Sequence, residues 1–162
     1  MMRLLFAVLS FAFMTGCHTA RFGPGNPQGQ VLMGQMHYAG RNRSFVGDFT
    51  ARVSENDFQL DVTKGPGVPL LSLRESGTLA RFEGGGHSWQ GNPQHFVPGQ
   101  LRGWLALHRA LLEAARTPSS DGTRELPVQL GKGSVTTTGG APARLHLELP
   151  ASGERFAFQF SR

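Results

Sequence analysis

SFVGDFTARVSENDFQLDVT, residues 44–63, is the stretch that decides the fold of this chain. Apolar or small side chains occupy the odd-numbered positions from Phe45 to Val53, and polar side chains lie between most of them. After a polar link at residues 54–57, the alternation resumes with Phe58, Leu60 and Val62. Period-2 alternation is typical of a strand with one buried and one solvated face. The stretch therefore predicts two antiparallel strands joined by a hairpin turn.

The same alternation predicts further strands after this hairpin. They are expected around residues 71–74, over residues 78–83 after a turn at 75–77, and in a final hairpin of residues 145–149 and 156–160 joined by the turn 150–153. The sequence contains 22 Gly and 10 Pro residues, which favours many turns and short strands over a helical bundle. Short links and period-2 patterning indicate an antiparallel meander with one face on a core.

Residues 98–116 do not follow the period-2 alternation. Apolar side chains and one histidine recur there at three- and four-residue steps: Leu101, Trp104, Leu105, His108, Leu111, Leu112 and Ala115. This spacing predicts one amphipathic helix, which has to bury its apolar stripe against the sheet. The predicted fold class is mainly β, with α+β character. We expect a curled antiparallel sheet that forms an open or half barrel, with the helix covering its concave face.

Composition supports a folded chain and excludes several classes of protein. The chain has 162 residues, the size of one ordinary domain, and 39% of them are hydrophobic. The net charge is +5, but the basic residues are scattered, with no cluster longer than Arg41-Asn42-Arg43, which argues against nucleic acid as a partner. The single cysteine, Cys17, excludes an intramolecular disulfide and a cysteine-based zinc cluster.

The first 16 residues have the features of a signal peptide. A positive start at Arg3 is followed by an apolar stretch, residues 4–14, that is too short to span a bilayer. The next residues, MTGC at 14–17, resemble the lipobox of bacterial lipoproteins, in which the cysteine is acylated and becomes the mature N-terminus. This resemblance implies that Cys17 is a lipid anchor. An ordinary secretory signal with an incidental cysteine is the alternative.

The N-terminal region also predicts location and domain organisation. His18, rather than an aspartate, follows the cysteine, and the sorting habit known for some bacteria then favours the outer membrane, on its periplasmic face. Residues 17–30 are expected to be the lipidated cysteine and a flexible tether, because Gly, Pro, Asn and Gln dominate residues 22–30. No second linker interrupts the rest, so residues 31–162 are expected to form a single domain.

Motifs for catalysis are incomplete in this sequence. A Gly-His-Ser-Trp run begins like a nucleophile elbow, but Gln90 stands where the second glycine is needed. His87 and His95 are the closest histidine pair and lack a third nearby imidazole. Asp57 and Asp61 are the nearest carboxylate pair on one face, the solvated side of a predicted strand, and their spacing alone leaves a glycosidase open. The sequence therefore predicts no enzyme, no metal and no cofactor, with an envelope enzyme as a remaining alternative.

The order of anchor, meander, single amphipathic helix and closing hairpin is similar to the LolA/LolB lipoprotein-carrier family. FQLDVTKGPGVPLLSL, residues 58–73, resembles the family's strand, apolar loop and returning strand, and residues 79–91 look like the next hairpin. LRGWLAL, residues 101–107, resembles the helix that lids the half-barrel, and residues 143–149 with 155–160 resemble the closing hairpin. The chain is thus identified as LolB-like over residues 44–162.

This resemblance implies an anchored, non-enzymatic protein that binds acyl chains of lipids or lipoproteins and assists their insertion in the outer membrane. Its expected partners are membrane lipid, acylated lipoproteins and a soluble periplasmic carrier. The expected wall of the acyl-chain cavity consists of Phe45, Phe49, Phe58, Leu60, Leu73, Leu101, Leu105 and Phe158. The same residues would form a filled core in an anchored scaffold or interaction module without a small ligand, so both interpretations stay open.

A second site is expected at residues 65–71. Two glycines and two prolines deny this stretch ladder hydrogen bonds, so it is predicted to project as a loop. In the LolA/LolB family an apolar protrusion in this region helps to deliver cargo to the membrane. The matching residues here are Val68, Leu70 and Leu71. A loop that folds back onto the core is the alternative.

Overall fold

Most of the secondary structure in this computed structural model consists of strands whose side chains alternate between two faces. The structure describes residues 29–95, 97–116, 120–129 and 131–161. The strands are β1 (Gln30–Ala39), β2 (Ser44–Val53), β3 (Asp57–Lys64), β4 (Val68–Ser76), β5 (Leu79–Gly84), β6 (His87–Gly91), β7 (Gly122–Leu126), β8 (Lys132–Thr138), β9 (Ala141–Leu149) and β10 (Glu154–Phe160). A 3-10 turn, Gly99–Leu101, leads into the helix α1 (Arg102–Ala115). The expected signal peptide, Cys17 and the tether up to residue 28 lie outside the described residues.

All ten strands belong to one antiparallel sheet, in the order β6-β5-β4-β3-β2-β1-β10-β9-β8-β7. Strands β1 to β6 form one meander and β7 to β10 form a second, and α1 connects their outer edges. The meanders join in the middle, where β1 pairs with β10 from Gly34 opposite Phe160 to Ala39 opposite Arg155. Because β6 and β7 are the two edges, the sheet is not closed. The prediction of a mainly β, open antiparallel sheet is confirmed.

The predicted alternation is confirmed by burial. On β2 and β3 the inward side chains Phe49, Val53, Phe58 and Leu60 are at most 3% exposed, while Thr50 and Arg52 between the first two face solvent. The inner residues of the last two strands are buried in the same core: Leu145, Leu147, Leu149, Phe156 and Phe158. A strand register fixed by one apolar face leaves little freedom for slippage. These hairpins therefore define which side of the sheet is the core side.

Three strands were not predicted. β1 carries Gly34 on its inner face, where a Cβ would collide with the backbone carbonyl of Gln159 on β10. The interruption weakens the apolar alternation, so the sequence indicated only that stable structure begins near Val31. β7 and β8 are short and rich in Thr, Ser and Gly, with Val135 as the buried apolar residue of β8.

The expected loop at residues 65–71 is shorter than predicted. The turn comprises Gly65, Pro66 and Gly67, and β4 already begins at Val68. Val62 pairs with Leu71 while Thr63 pairs with Pro69, so Leu70 is the extra residue of a β-bulge. A bulge admits residues that a regular ladder excludes, and here it accommodates the proline next to it.

The helix is amphipathic as predicted, but its buried face is rotated from the predicted stripe. Its buried residues are Gly103, Trp104, Leu107, Ala110, Leu111 and Ala114. Leu105, His108 and Leu112 are only half-buried at the side of this face. Gly103 and Ala110 are buried, and at Gly103 the helix lies close to Glu154 of β10. The predicted stripe was read from large apolar side chains, so it did not include these two small residues. No helix among the described residues is long and apolar enough to cross a membrane.

One end of the sheet carries four short turns, besides the longer link between β7 and β8. The strand directions bring together the turns at residues 40–43, 65–67, 85–86 and 150–153, and we call this end the rim. The first turn of α1 also lies here, because a Cβ at Gly103 would collide with the Glu154 carboxylate at the start of β10. Gln30, the first residue of β1, lies at the opposite end.

Candidate functional site

An apolar groove opens at the rim between the start of α1 and the strands β2, β4 and β5. Its volume is about 360 Å³. Its apolar lining residues are Phe45, Leu70, Leu71, Phe82, Leu101 and Trp104. Pockets of small-molecule size with a mainly apolar wall and a few polar groups are typical ligand sites. We call this cavity the groove.

Trp104 forms the wall of the groove on the helix side. Its ring lies 4.9 Å from Tyr38 and 5.1 Å from Phe156, in an edge-on arrangement with the latter. It also lies 5.8 Å from Phe82 and 6.2 Å from Phe45 between ring centroids. These aromatic neighbours come from β1, β10, β5 and β2, so one residue of α1 connects strands on both meanders. Such ring pairs add about 0.5–1.5 kcal/mol each beyond their area burial.

A second pocket of about 560 Å³ adjoins the groove at the rim. Tyr38, Asn42, Arg43 and Gln100 line both cavities. The second pocket is further lined by Arg41 and Arg102, with Glu154 and Ser152 on the β10 side. We call it the arginine pocket. An apolar groove and a cationic pocket thus share a wall.

A buried carboxylate lies beside this pocket. Glu154 is 5% exposed. The Tyr38 hydroxyl donates to its Oε1 at 3.0 Å and the Ser152 hydroxyl to its Oε2 at 2.7 Å. Its position against Gly103 places negative charge next to the N-terminus of α1, where the helix dipole favours it. The cluster connects β1, the last turn of the rim and α1.

Burial beside this carboxylate makes Tyr38 a very weak acid. Desolvation, the negative charge of Glu154 and the hydrogen bond to it raise the pKa of Tyr38 to about 12, against 10 for an ordinary tyrosine. The positive charge of Arg43 acts in the opposite direction. Tyr38 is therefore a neutral hydrogen-bond donor at physiological pH, and is not suited to act as a base.

A second polar cluster lies at the middle of the helix. The His108 ring stacks on Phe58, with 4.9 Å between centroids and 5° between planes. Its Nδ1 lies 3.2 Å from Glu75 Oε2 and its Nε2 lies 2.9 Å from the Ser54 carbonyl oxygen. Both neighbours are acceptors, so both ring nitrogens donate only in the imidazolium form.

The pKa of His108 is raised above 6.5 by this arrangement. Burial is the largest influence and lowers the pKa, but the hydrogen bonds to Glu75 and to the Ser54 carbonyl, with the charges of Glu75 and Asp57, outweigh it. His108 lines neither the groove nor the arginine pocket, and its contacts join the middle of α1 to Glu75 on β4 and to Ser54 after β2. It is therefore better suited to hold the helix on the sheet than to act on a ligand.

The structure separates the predicted cavity residues into two sets. Phe45 and Leu101 line the groove. Phe49, Phe58, Leu60, Leu73 and Phe158 are packed in the core and are at most 3% exposed, while Leu105 is half-buried against that core. The middle of the sheet is thus filled by side chains, and the groove and the arginine pocket lie toward the rim. Smaller pockets of about 270 and 230 Å³ lie along the second half of α1 and on the solvent face of β4 and β5.

The residues expected to contact a membrane also differ from one another. Val68 is 56% exposed at the start of β4. Leu70 is half-buried against the core and lines the groove, and Leu71 is 6% exposed. Leu70 and Leu71 therefore belong to the groove wall, and Val68 presents apolar surface at the rim.

The weak catalytic motifs do not assemble in the described residues. Ser88 is exposed on the edge strand β6, and Asp57 and Asp61 accept hydrogen bonds from Ser76 and Ser72 on the neighbouring strand. Nowhere in the described part of the chain do three His, Cys, Asp or Glu side chains come together as metal ligands.

Comparison with known proteins identifies no family for the chain. No family model matches its sequence, and no curated protein matches it significantly.

Sequence reasoning missed Tyr38, Phe82, Arg102 and Glu154 as site residues. Tyr38 and Glu154 are 116 positions apart in the chain, and no local pattern connects them. One signal was present: Arg41-Asn42-Arg43 is the closest pair of basic residues in the folded part, and it lies in the turn between two strands. Two arginines in one short turn indicate a local concentration of positive charge.

Proposed function

We propose that this protein is an anchored, non-enzymatic lipid-binding lipoprotein of the outer membrane, LolB-like in action. It holds acyl chains of lipids or lipoproteins in the groove and assists their insertion in the membrane. Acylated lipoproteins, membrane lipid and a soluble periplasmic carrier are its partners in this proposal. The observation that carries it is an apolar groove beside Trp104 that opens at the rim next to a cationic pocket.

The chemistry of the groove favours acyl chains over polar ligands. Six aromatic and aliphatic side chains from the start of the helix and from β2, β4 and β5 line it, and its polar lining residues are Tyr38, Asn42, Arg43, His87 and Gln100. Burial of apolar surface stabilises a complex by roughly 25 cal/mol per Å², without covalent chemistry or a cofactor. Each buried methylene group contributes about 0.8 kcal/mol. A groove of this kind holds a chain reversibly, which suits a protein that receives and releases its cargo.

We infer further that the sheet curls around α1 and that the helix covers its concave face. Trp104 contacts aromatic rings on β1, β2, β5 and β10, and His108 stacks on Phe58 of β3. A helix that reaches strands in both meanders supports a curved sheet.

An anchored scaffold without a small ligand is the second candidate. It is favoured by one observation: five of the predicted cavity residues are packed in the core. The two candidates differ in whether the groove takes up an acyl chain.

The test uses the two tryptophans of the chain, Trp89 and Trp104. The protein is prepared as residues 18–162, which retain every described strand and the helix, and is titrated with a bromine-labelled fatty acid, which quenches nearby indole fluorescence. In a Trp89→Phe variant the remaining Trp104 is expected to be quenched. In the matched Trp104→Phe variant the remaining Trp89, which does not line the groove, is expected to be quenched less.

Mass spectrometry of the same chain purified from bacteria supplies an independent readout. Co-purified acyl chains are expected, and they should be displaced by added fatty acid. If Trp104 is not quenched and no acyl chain is recovered from folded protein, the lipid-binding proposal is wrong and the scaffold is the better account.

A further inference from the structure

We propose that the arginine pocket binds the anionic head of the amphiphile whose acyl chain occupies the groove. The ligand class is then an acyl lipid with a phosphate or carboxylate group, rather than a neutral lipid. This inference rests on the proposed function, because the groove supplies the chain site. It adds a second contact that selects among lipids by charge.

Charge is the first support. Arg41, Arg43 and Arg102 line the arginine pocket, and the one carboxylate in its lining is Glu154. That carboxylate already accepts hydrogen bonds from Tyr38 and Ser152. Among the described residues none of the three arginines forms an ion pair, so the pocket retains an excess of positive charge.

Unused donors are the second support. Arg43 Nη1 donates to the Gly85 carbonyl at 3.1 Å, and Arg41 Nη2 makes a longer bond of 3.4 Å to the Ala151 carbonyl. Each contact uses one of the five N–H groups that a guanidinium carries. Arg102 has no hydrogen-bond or ion-pair partner in the described ranges. Guanidinium groups bind phosphate and carboxylate oxygens in forked pairs, so this set of donors fits an anionic oxygen group.

Geometry is the third support. Arg43, Tyr38, Asn42 and Gln100 line the arginine pocket and the groove at once. Arg43 also bridges the turn at residues 40–43 to the turn at 85–86, which holds its charge at the junction. A ligand with an apolar chain and an anionic head attached to it therefore occupies both cavities without a break. Free phosphate would fill only the arginine pocket.

The test compares three probes on residues 18–162: a palmitoyl lysophosphatidylglycerol, a palmitoylglycerol of the same chain length, and inorganic phosphate. The rim variant replaces Arg41, Arg43 and Arg102 by Gln. A matched control replaces Arg52, Arg109 and Arg144 by Gln, because these are exposed arginines away from both cavities and the change in net charge is the same. Binding is followed by calorimetry.

Wild-type protein is expected to bind the lysophosphatidylglycerol at least about tenfold more tightly than the palmitoylglycerol, since one charge-assisted hydrogen bond contributes that much. The rim variant should lose this preference while its affinity for palmitoylglycerol stays unchanged, and the control should keep it. Since Arg41 and Arg43 tie turns together, the single variant Arg102→Gln serves as a second test that does not remove a contact of the fold. It should lose part of the preference at an unchanged thermal midpoint.

The outcomes separate the two proposals. Equal affinities for both lipids in the wild type, or an unchanged preference in the rim variant, would overturn the head-group inference and leave acyl binding standing. Binding of inorganic phosphate that the rim variant loses, with no binding of either lipid, would contradict the proposed function and support a site for a free anion. No binding of any of the three probes would overturn both.

Discussion

Tyr38 links the polar and apolar halves of the site. Its ring packs against Trp104, Phe45 and Phe156, and its hydroxyl donates to Glu154. It lines both cavities, so its protonation state affects each of them. Burial of the ring, together with the Glu154 carboxylate beside it, raises the pKa of Tyr38 and explains why the hydroxyl keeps its proton.

Tyr38 offers a direct test, because it is the one tyrosine in the sequence. Ultraviolet absorbance of tyrosinate therefore reports this residue alone. We expect a midpoint at about pH 12 in folded protein, because burial and the Glu154 carboxylate disfavour the phenolate. A midpoint near pH 10 with the circular dichroism of the native state intact would show that the Tyr38–Glu154 contact is absent in solution.

His108 makes the stability of the protein dependent on pH. Its pKa is raised in the folded state above the ordinary 6.5. The stability that protonated His108 contributes is therefore fully present below pH 6.5. It is lost as the pH rises through the pKa that His108 has in the folded state. We expect the free energy of unfolding in urea to fall over that range, by no more than about 1.4 kcal/mol per pH unit for one proton.

Two variants isolate this effect. His108→Gln should flatten that part of the pH profile, because the group that binds the proton is gone. The matched control His37→Gln changes an exposed histidine on β1 and should leave the profile in place. A slope that survives in His108→Gln would assign the dependence to another group.

At the scale of elements, α1 packs on the sheet through its buried face. Two leucines of this helix differ in burial. Leu107 is fully buried, whereas Leu105 is half-buried. Leu107→Ala should lower the free energy of unfolding by about 2–5 kcal/mol, the usual range for a core leucine. Leu105→Ala should cost clearly less. Urea unfolding measures both, and equal losses would mean that the helix face is rotated relative to the one described here.

Strand β4 carries the second test at this scale. Val68 is exposed at the rim while Leu70 lies in the groove wall. Val68→Glu should change the free energy of unfolding by no more than about 0.5 kcal/mol, as for other surface positions. It should weaken association with anionic vesicles, since it replaces apolar surface by a negative charge.

Leu70→Glu is the matched comparison for Val68→Glu. It places a charge against the core, so it should lower both stability and the uptake of acyl chains. If Val68→Glu associates with vesicles as the wild type does, the start of β4 is not a membrane contact. If instead it unfolds the protein, Val68 is not the surface residue described here.

At the scale of the whole molecule, the sheet separates the start of β1 from the candidate site. β1 begins at Gln30 at one end of the sheet, and the rim lies at the other, about 33 Å away for ten residues at the usual strand rise. Residues 17–29 can span at most about 45 Å. The tether is thus long enough for the rim to reach the membrane in which Cys17 would be anchored.

The anchor itself is tested by fractionation. Because the thiol of Cys17 is the expected acylation point, Cys17→Ala should give uncleaved precursor or protein retained in the inner membrane. Outer-membrane fractions should contain the wild type and lack the variant. Identical fractionation of the two chains would contradict lipidation, without bearing on the groove.

Open sheet edges are the remaining feature at this scale. β6 and β7 are five residues each, the shortest strands described. Short edge strands present few free backbone groups to another chain, which limits edge-to-edge aggregation. The absence of closure also leaves the groove side of the sheet accessible at β5 and β6.

Much of this fold follows from local sequence. Alternation at β2, β3, β9 and β10, the polar turn at Ser54 and the periodicity of α1 each arise from neighbours a few residues apart. The hydrophobic effect favours burial of the apolar face, and a strand or helix with one apolar face can bury it in only one orientation. The class of fold and the existence of one helix were therefore predictable.

The central pairing of β1 with β10 and the site at the rim arise from contacts between distant parts of the chain. Tyr38 meets Glu154 only because the two meanders join in register, and Arg41, Arg43 and Arg102 share a pocket only because α1 begins above that junction. Residues such as Phe58 and Phe49 fill the core rather than a cavity for the same reason. Whether an inward side chain contacts a neighbour or lines a cavity depends on packing in three dimensions. Alternation along one strand carries no information about that packing.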